Sequence, residues 1–473
     1  MSNPDRSRHP PGLYVLFFTE MWERFGFYTL MALLTLYLDE YFHFESKGQI
    51  YGGFVAFVYF APIVGGFIAD RVLGFRRTIA SGAVLLALGY GVVACPYPEN
   101  PENEAKVAAV EQVFQAEQDA WQERYDAAKE KGIAFEEKAP QYSGPGRHDG
   151  RWLFFLGLAV VVIGNGLFKP NISVLVGNLY TRSSPLKDAA FNIFYMGINI
   201  GAFLAPLAAG ELRNRYGWSQ AFAAAALGMV VSLVIFLSFW RQLGVAETDP
   251  SLDREGSVPD LAPGEIRERI KALFTIFAIV ILFWLSFYQN GFTLTLWARD
   301  STGPIFGRKI SPELFQSVNP FFIVLLTPLI VMFWGALRRR GKEPSTPGKM
   351  ALGMLMTAFS FAIMAVAGRL GGDTGLVSPL WLVGTYAGIT VAEVCLSPMG
   401  LSFVSKVAPP RLRGLMMGGW FGATAAGGYL AGAIEPLWDR WSHSTFFSFL
   451  VAISLVATAL LALRLRFLRR AMP

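Results

Sequence analysis

Three charged residues lie in the middle of a hydrophobic segment near the start of the chain. Glu20, Glu23 and Arg24 belong to Leu13–Leu38, which is long enough to cross a bilayer. On a helix these positions share one face, so Glu20 can pair with Arg24. A charge at mid-membrane costs about 2.5–3.5 kcal/mol on insertion scales, so such a face looks into protein or a watery cavity. A glutamate held beside an arginine is either charged and paired or protonated and released, which is the chemistry of a proton-binding site.

Two further charges lie deep in hydrophobic segments. Lys169 directly precedes Pro170, which is expected to break its helix locally and to free backbone carbonyls. Glu393 lies in a later segment, and at about 1.5 Å of rise per residue it falls, like Lys169 and Glu23, near the middle third of the bilayer. We therefore predict that these charges line one central cavity. The alternatives are buried structural ion pairs, or a Lys169 that extends to the membrane surface.

Composition places the chain among membrane proteins. Of its 473 residues, 53% are hydrophobic and 16% are charged, and the mean hydropathy is +0.40. Soluble domains carry about 25% charged residues. Cys95 and Cys395 form no metal-binding or redox motif, and the sequence shows no metal-ligand pair and no nucleophile–base set. We therefore expect no metal, no cofactor and no enzymatic activity.

Apolar stretches of about 20 residues predict twelve membrane-spanning helices. The proline-containing polar linker 241–265 divides them into an N-terminal six-helix bundle, residues 1–240, and a C-terminal one, residues 266–473. The sequence thus predicts an all-α membrane protein. The predicted spans are 13–38, 48–70, 77–95, 152–178, 188–210, 218–240, 271–297, 317–337, 350–370, 378–405, 412–434 and 445–467.

The distribution of basic residues predicts the orientation. The segments on the side of the N-terminus carry most of the 41 lysines and arginines, among them Arg338-Arg339-Arg340 and the tail Arg464–Arg470. By the positive-inside rule both termini are cytoplasmic, and the basic runs anchor the protein in the lipid bilayer. The net charge of +6 could also suggest nucleic-acid binding. Because the charges follow the membrane topology, we expect no nucleic-acid partner.

The predicted outside loop between spans 3 and 4, residues 96–150, is unusually long and polar. Its middle, Glu102–Lys131, reads as a charged helix with spaced apolar residues, followed by Gly132. We interpret the insertion as a solvated helical hairpin that rests on the outer face of the protein. A segment that docks a partner or screens substrate is the alternative.

A charged turn follows span 2. Asp70, Arg71, Arg76 and Arg77 surround Gly74 after a run of small residues. Small residues let helices pack closely, and the charged side chains can bond exposed helix ends or a neighbouring helix. This pattern favours a gating loop on the cytoplasmic side, with an ordinary basic loop as the alternative.

Motifs along nearly the whole chain outside the insertion resemble those of the proton-dependent oligopeptide transporters, a branch of the major facilitator superfamily. Together and in this order they are specific to that family, although each one alone is modest. They are Glu20-x-x-Glu23-Arg24-Phe25, Gly65-Gly66 with Asp70-Arg71 and Arg76-Arg77, Gly166-Leu167-Phe168-Lys169-Pro170-Asn171, Phe191–Ala202, Phe283-Trp284, Asn319-Pro320, Glu393 with Ser397-Pro398, and Met416-Met417-x-x-Trp420-Phe421.

This resemblance implies a major facilitator fold and proton-driven uptake of di- and tripeptides by a protein that functions as a monomer. Glu20, Glu23 and Arg24 then look like the proton-coupling motif, and Arg24 with Lys169 is available to a substrate carboxylate. Glu393 looks like the partner of a substrate amino terminus. The resemblance also implies pocket residues, which are the polar Tyr28, Tyr59, Asn199 and Asn319 and the apolar Trp284 and Trp420.

Two positions depart from the family pattern together. Members generally carry an acid in span 7 where this chain has Tyr288, and commonly an arginine where it has Met31. The two groups are thought to pair across the outer gate, so their joint loss leaves no orphan buried charge. The departure leaves open a second cargo class, such as a small anion or a modified amino acid. A third reading is a transporter-like receptor that uses residues 96–150.

Overall fold

The computed structural model describes residues 9–97, 101–131, 140, 151–180, 186–247, 262–304, 307–373, 375–409 and 412–472. These residues form helices and no β-sheet, apart from one isolated bridge between Thr302 and Val377. The predicted all-α class is confirmed. Most of the linker 241–265 and the end of the insertion 96–150 lie outside the described residues.

The first half of the chain contains seven α-helices within the described ranges, and the second half contains eight. The first seven are α1 (Pro11–Leu36), α2 (Lys47–Ile68), α3 (Phe75–Ala94), α4 (Pro101–Glu130), α5 (Arg151–Asn178), α6 (Lys187–Tyr216) and α7 (Trp218–Ser238). The others are α8 (Pro263–Phe287), α9 (Thr293–Asp300), α10 (Val318–Arg339), α11 (Thr346–Gly371), α12 (Leu380–Val407), α13 (Arg413–Ala433), α14 (Glu435–Arg440) and α15 (His443–Arg470).

Ten membrane-length segments in the described part of the chain are long and apolar enough to span a bilayer. The predicted spans at α1 and α13 are not among them. Helix α1 carries three charges near its middle, and α13 is rich in glycine, which lowers its hydropathy. The multi-pass architecture is confirmed, whereas the count of twelve stays a prediction. The charged helix predicted within the insertion is present as α4.

Residue contacts divide the chain into two compact units. The first unit comprises Met1–Ala32, Phe57–Cys95 and Trp152–Asp260, and the second comprises Leu33–Ala56, Pro96–Arg151 and Leu261–Pro473. The second unit therefore includes the end of α1, the start of α2 and the turn between them. The division into two halves at the linker stays a prediction.

Two local features differ from the sequence expectation. Helix α5 continues through Pro170 instead of breaking there. Beside the proline, the Asn171 side-chain amide donates to the Leu167 carbonyl of the same helix at 2.7 Å and to the Gly65 carbonyl of α2 at 3.2 Å. By contrast, predicted span 7 is interrupted, because a 3₁₀ turn over Tyr288–Gly291 separates α8 from α9.

Glycines allow α2 and α5 to pack with their backbones in contact. A Cβ atom at Gly65 would overlap the carbonyl oxygen of Gly166, whereas a Cβ at Gly66 would meet nothing within 4 Å. Close approach through small residues is a common mode of helix association in membranes.

We expect Gly65→Ala to destabilise the first unit, because overpacking costs about 1–3 kcal/mol. The neighbouring Gly66→Ala is the matched control and should leave stability unchanged, since its Cβ has open space. Thermal unfolding of the two variants in the same detergent checks this. Equal melting temperatures for the two variants would contradict the packing described here.

Candidate functional site

The three charges of α1 form one buried cluster in the first unit. Glu20 is 2% exposed, Glu23 is 0% exposed and Arg24 is 2% exposed. Arg24 Nε lies 3.1 Å from Glu20 Oε1 and also donates to Glu23 Oε2. One oxygen of each glutamate has no hydrogen-bond partner among the described residues. The cluster therefore holds its charges together and keeps free acceptor capacity for a proton or a ligand.

Helix α6 holds this cluster in place. A Cβ atom at Gly201 would overlap the Met21 carbonyl oxygen and would lie 3.0 Å from Cβ of Arg24. Only glycine permits the two helices to approach this closely. The Arg24 guanidinium also lies 5.2 Å from the centre of the Phe27 ring, a cation–π distance. These contacts restrict the positions that Arg24 can adopt.

Lys169 belongs to the same charged environment. It interacts electrostatically with Glu20 and Glu23, and its Nζ lies 4.5 Å from the centre of the Tyr59 ring. Tyr28, one turn after Arg24 on α1, interacts electrostatically with that arginine. The structure thus brings five sequence-predicted site residues of the first unit together around Arg24.

Asn199, the remaining polar residue predicted for the first unit, is buried, and its amide donates to the Tyr195 carbonyl one turn earlier at 2.9 Å.

Two buried polar residues near the cluster were not predicted from the sequence. The Tyr90 hydroxyl interacts electrostatically with Glu23 and Arg24 and has no hydrogen-bond partner among the described residues. Asn165 donates to the Val58 carbonyl at 3.1 Å. Asn165 precedes Lys169 by one turn, a signal that could have identified it.

In the second unit, Glu393 is held by Asn319, which also bonds Thr390. The Asn319 amide donates to Glu393 Oε2 at 3.0 Å and to Thr390 Oγ1 at 3.0 Å. Thr390 in turn donates to the Tyr386 carbonyl at 2.7 Å. The carboxylate is therefore oriented by an amide and is not neutralised by a basic side chain among the described residues. It can accept a cationic group from a ligand.

The two aromatic residues predicted as pocket walls, Trp284 and Trp420, are both buried. Trp284 is 7% exposed and stacks on Tyr288, with ring centres 5.6 Å apart. Trp420 is 2% exposed, and its indole occupies space that a Cβ at Gly400 would overlap. Both residues are thus fixed as apolar surfaces.

The two departures from the family pattern occupy buried, neutral positions. Met31 is 8% exposed in the first unit, and Tyr288 is 6% exposed in the second. Tyr288 begins the 3₁₀ turn that interrupts the predicted span, and its carbonyl accepts from the Tyr51 hydroxyl at 3.4 Å.

The predicted gating loop forms a π-helical turn over Ala69–Leu73, followed by Gly74 with φ of 75°. Arg76 forms an ion pair with Glu247, donates to the Trp240 carbonyl at 3.0 Å, and lies over the Trp240 ring. Asp70, Arg71 and Arg77 are exposed. Arg76 therefore ties the loop to the end of the N-terminal half, and the gating role stays a prediction.

Comparisons with known proteins agree with the motifs. The sequence model of the POT family matches residues 76–247 and 263–451. The peptide transporter YePEPT of Yersinia enterocolitica is 31% identical over 90% of this chain and 87% of the relative. The transporter YclF of Bacillus subtilis is 30% identical over 98% of this chain and 95% of the relative.

A solved structure has the same architecture. The crystal structure of a variant of peptide transporter POT in complex with alafosfalin matches with a TM-score of 0.79 and 29% identity, covering 98% of this chain and 96% of that chain. The relatives are transporters, which points away from an enzymatic role. The motifs, the helical architecture and these matches together show that the chain is a multi-pass cell-membrane protein and belongs to the POT family.

Proposed function

We propose that the protein is a symporter that couples inward proton flow to the uptake of di- and tripeptides or peptide-like zwitterions. The observation that carries this proposal is the buried cluster of Glu20, Glu23 and Arg24, with Lys169 in the same charged environment. Arg24 lies within ion-pair distance of both carboxylates, and each carboxylate keeps an oxygen with no hydrogen-bond partner among the described residues. Such a group can exchange a proton without leaving an unpaired arginine.

The proposed roles follow from charge and geometry. Arg24 and Lys169 bind the substrate carboxylate, because a guanidinium can bond a carboxylate with two parallel hydrogen bonds. Glu393, oriented by Asn319, binds the substrate amino terminus. Tyr28, Tyr59 and Asn199 offer polar contacts, and Trp284 and Trp420 form apolar walls.

Three further points belong to the proposal. The proton is the coupling ion, and no cofactor takes part. Both termini are cytoplasmic, as the distribution of basic residues indicates. The protein works as a monomer in the lipid bilayer.

Uptake into proteoliposomes tests the proposal. Purified protein should accumulate a labelled dipeptide when the outside is more acidic than the lumen, and should only equilibrate it without the gradient. Protein-free liposomes are one control. Proteoliposomes whose proton gradient has been collapsed with an ionophore are the other. If active protein shows no gradient-dependent accumulation of any dipeptide, the hypothesis of proton-coupled peptide uptake is overturned.

The buried, neutral Met31 and Tyr288 favour one second candidate, a proton-coupled transporter of a small anion or a modified amino acid. A thermal-shift screen separates the two. Stabilisation by dipeptides but not by free amino acids or anions supports the peptide cargo, and the reverse pattern supports the alternative.

A further inference from the structure

Four charged residues join the α1–α2 turn to the C-terminal half within the second unit. We call Asp39, Lys47, Arg299 and Glu435 the outer charge cluster, because the proposed orientation places them on the outer side of the membrane. Lys47 Nζ lies 3.0 Å from Asp39 Oδ1 and 3.9 Å from Glu435 Oε1. Arg299 Nη1 lies 2.6 Å from Asp39 Oδ2. The four side chains therefore form one continuous chain of alternating charge.

The helices around Glu435 approach one another through glycines. A Cβ atom at Gly432, near the end of α13, would overlap the Gly48 carbonyl oxygen at the start of α2. A Cβ atom at Gly48 would lie 2.7 Å from Cβ of Glu435. Glu435 is 3% exposed, and Gly48 at the start of α2 lies directly against it.

The Glu435 carboxylate is only partly compensated in this position. Its Oε2 accepts the Gly48 backbone N–H at 2.7 Å, whereas its Oε1 has no hydrogen-bond partner in the described part of the chain. Lys47 lies nearer to Asp39 than to Glu435. A buried carboxylate with incomplete compensation favours its protonated form.

The surrounding charges agree with this. Burial raises the pKa of Glu435 to about 7; the Gly48 N–H and Lys47 act against the rise, and Asp439 and Asp39 add to it. Asp39 behaves differently: burial would raise its pKa, but Arg299 and Lys47 outweigh burial and hold that pKa below its ordinary value. Asp39 therefore stays charged as the centre of the cluster, and Glu435 is its titrating member.

We propose that Glu435 is a proton-binding residue of the outer gate, and that the α1–α2 turn closes against the end of α13 when Glu435 takes a proton from outside. The inference rests on the proposed transport function, and it adds a second proton-binding position to the α1 cluster. The outer charge cluster also supplies, at helix ends and in the α1–α2 turn, the charges that Met31 and Tyr288 do not supply further inside the helices.

The direction of the pH effect follows from linkage. In an open gate Glu435 is hydrated and has an ordinary pKa of about 4.3, whereas in the closed gate its pKa is raised to about 7. The closed state thus binds the proton more tightly. Its stabilisation by protonation is complete below the open-state pKa and is lost as the pH rises through about 7.

Spin-label distances across the gate test the proposal. Labels on cysteines introduced at the exposed Ser46 and Arg440, with both native cysteines replaced, report the closed population in lipid nanodiscs without peptide. We expect the ratio of the population with the short distance to the population with the long distance to fall at least about tenfold between pH 5 and pH 8. In Glu435→Gln, which keeps the shape and the acceptor for Gly48, the short distance should dominate at every pH.

Glu40→Gln is the matched control, because Glu40 is an exposed carboxylate beside Arg299. It should keep the wild-type pH response. The proposal is overturned if the distance distribution of the wild type does not change with pH, or if that of Glu435→Gln changes as the wild type's does. It is also overturned if Glu40→Gln loses the pH response as Glu435→Gln does. Because no peptide is present, failed uptake with a normal distance response would reject only the transport function. Normal uptake with pH-independent distances would reject only the role of Glu435.

Discussion

Glu23→Gln should abolish proton-driven accumulation while leaving a folded protein. The substitution removes the charge of a carboxylate that is 0% exposed, and Arg24 keeps Glu20 as its partner at 3.1 Å. Because the buried arginine remains paired, the large penalty for an isolated buried charge does not arise. With no carboxylate to alternate between the paired and protonated states at this position, the gradient can no longer be converted into accumulation.

The measurement compares two modes of transport by the same variant in proteoliposomes. Gradient-driven uptake of a dipeptide should fall to the level of simple equilibration, while exchange of labelled for unlabelled peptide without a gradient continues. Glu268→Gln is the control, because it removes an exposed carboxylate that pairs with Lys271, and it should accumulate peptide normally. If Glu23→Gln still responds to the gradient like the wild type, coupling does not depend on Glu23.

Charged residues within the membrane-spanning segments could be located from the sequence. Glu20, Glu23, Arg24 and Lys169 stand out because each charge costs several kcal/mol in hydrocarbon unless the protein provides partners. Their position on apolar segments therefore indicated a functional cluster before any contact was known. The structure adds the geometry, in which Arg24 bonds both glutamates.

Features that depend on distant contacts could not be predicted in this way. Asn319 and Glu393 each stood out, but their hydrogen bond joins α10 to α12 and has no local signature. The turn at Tyr288 contains no proline and yet interrupts an apolar stretch, whereas Pro170 lies in an unbroken helix.

The outer charge cluster illustrates the same limit. Charges at the ends of membrane helices are normally solvated, so Lys47 and Glu435 carry no sequence signal of burial. Both are buried where the backbones of Gly48 and Gly432, two positions far apart in the chain, approach each other closely. A close backbone approach can be recognised only once the partner helix is known.

Glu393→Gln should selectively weaken transport of peptides that have a free amino terminus. Glutamine keeps an oxygen that can accept from the Asn319 amide, so the orientation now given by the 3.0 Å bond is preserved and only the charge is lost. Hydrogen bonds to charged groups contribute about 1.5–3 kcal/mol and neutral ones about 0.5–1.5 kcal/mol. A loss of about 1.4 kcal/mol corresponds to a tenfold weaker affinity. We therefore expect the half-saturating concentration of a dipeptide to rise about tenfold or more.

The matched comparison is chemical, because acetylation removes the positive charge from the peptide instead of the negative charge from the protein. An N-acetylated dipeptide should be a poor ligand of the wild type, and Glu393→Gln should affect it little, since the interaction is already absent. Half-saturating concentrations for both peptides with both proteins complete a double-substitution cycle, in which a large coupling energy identifies a direct interaction. Additive effects of the substitution and the acetylation would show that Glu393 does not bind the amino terminus.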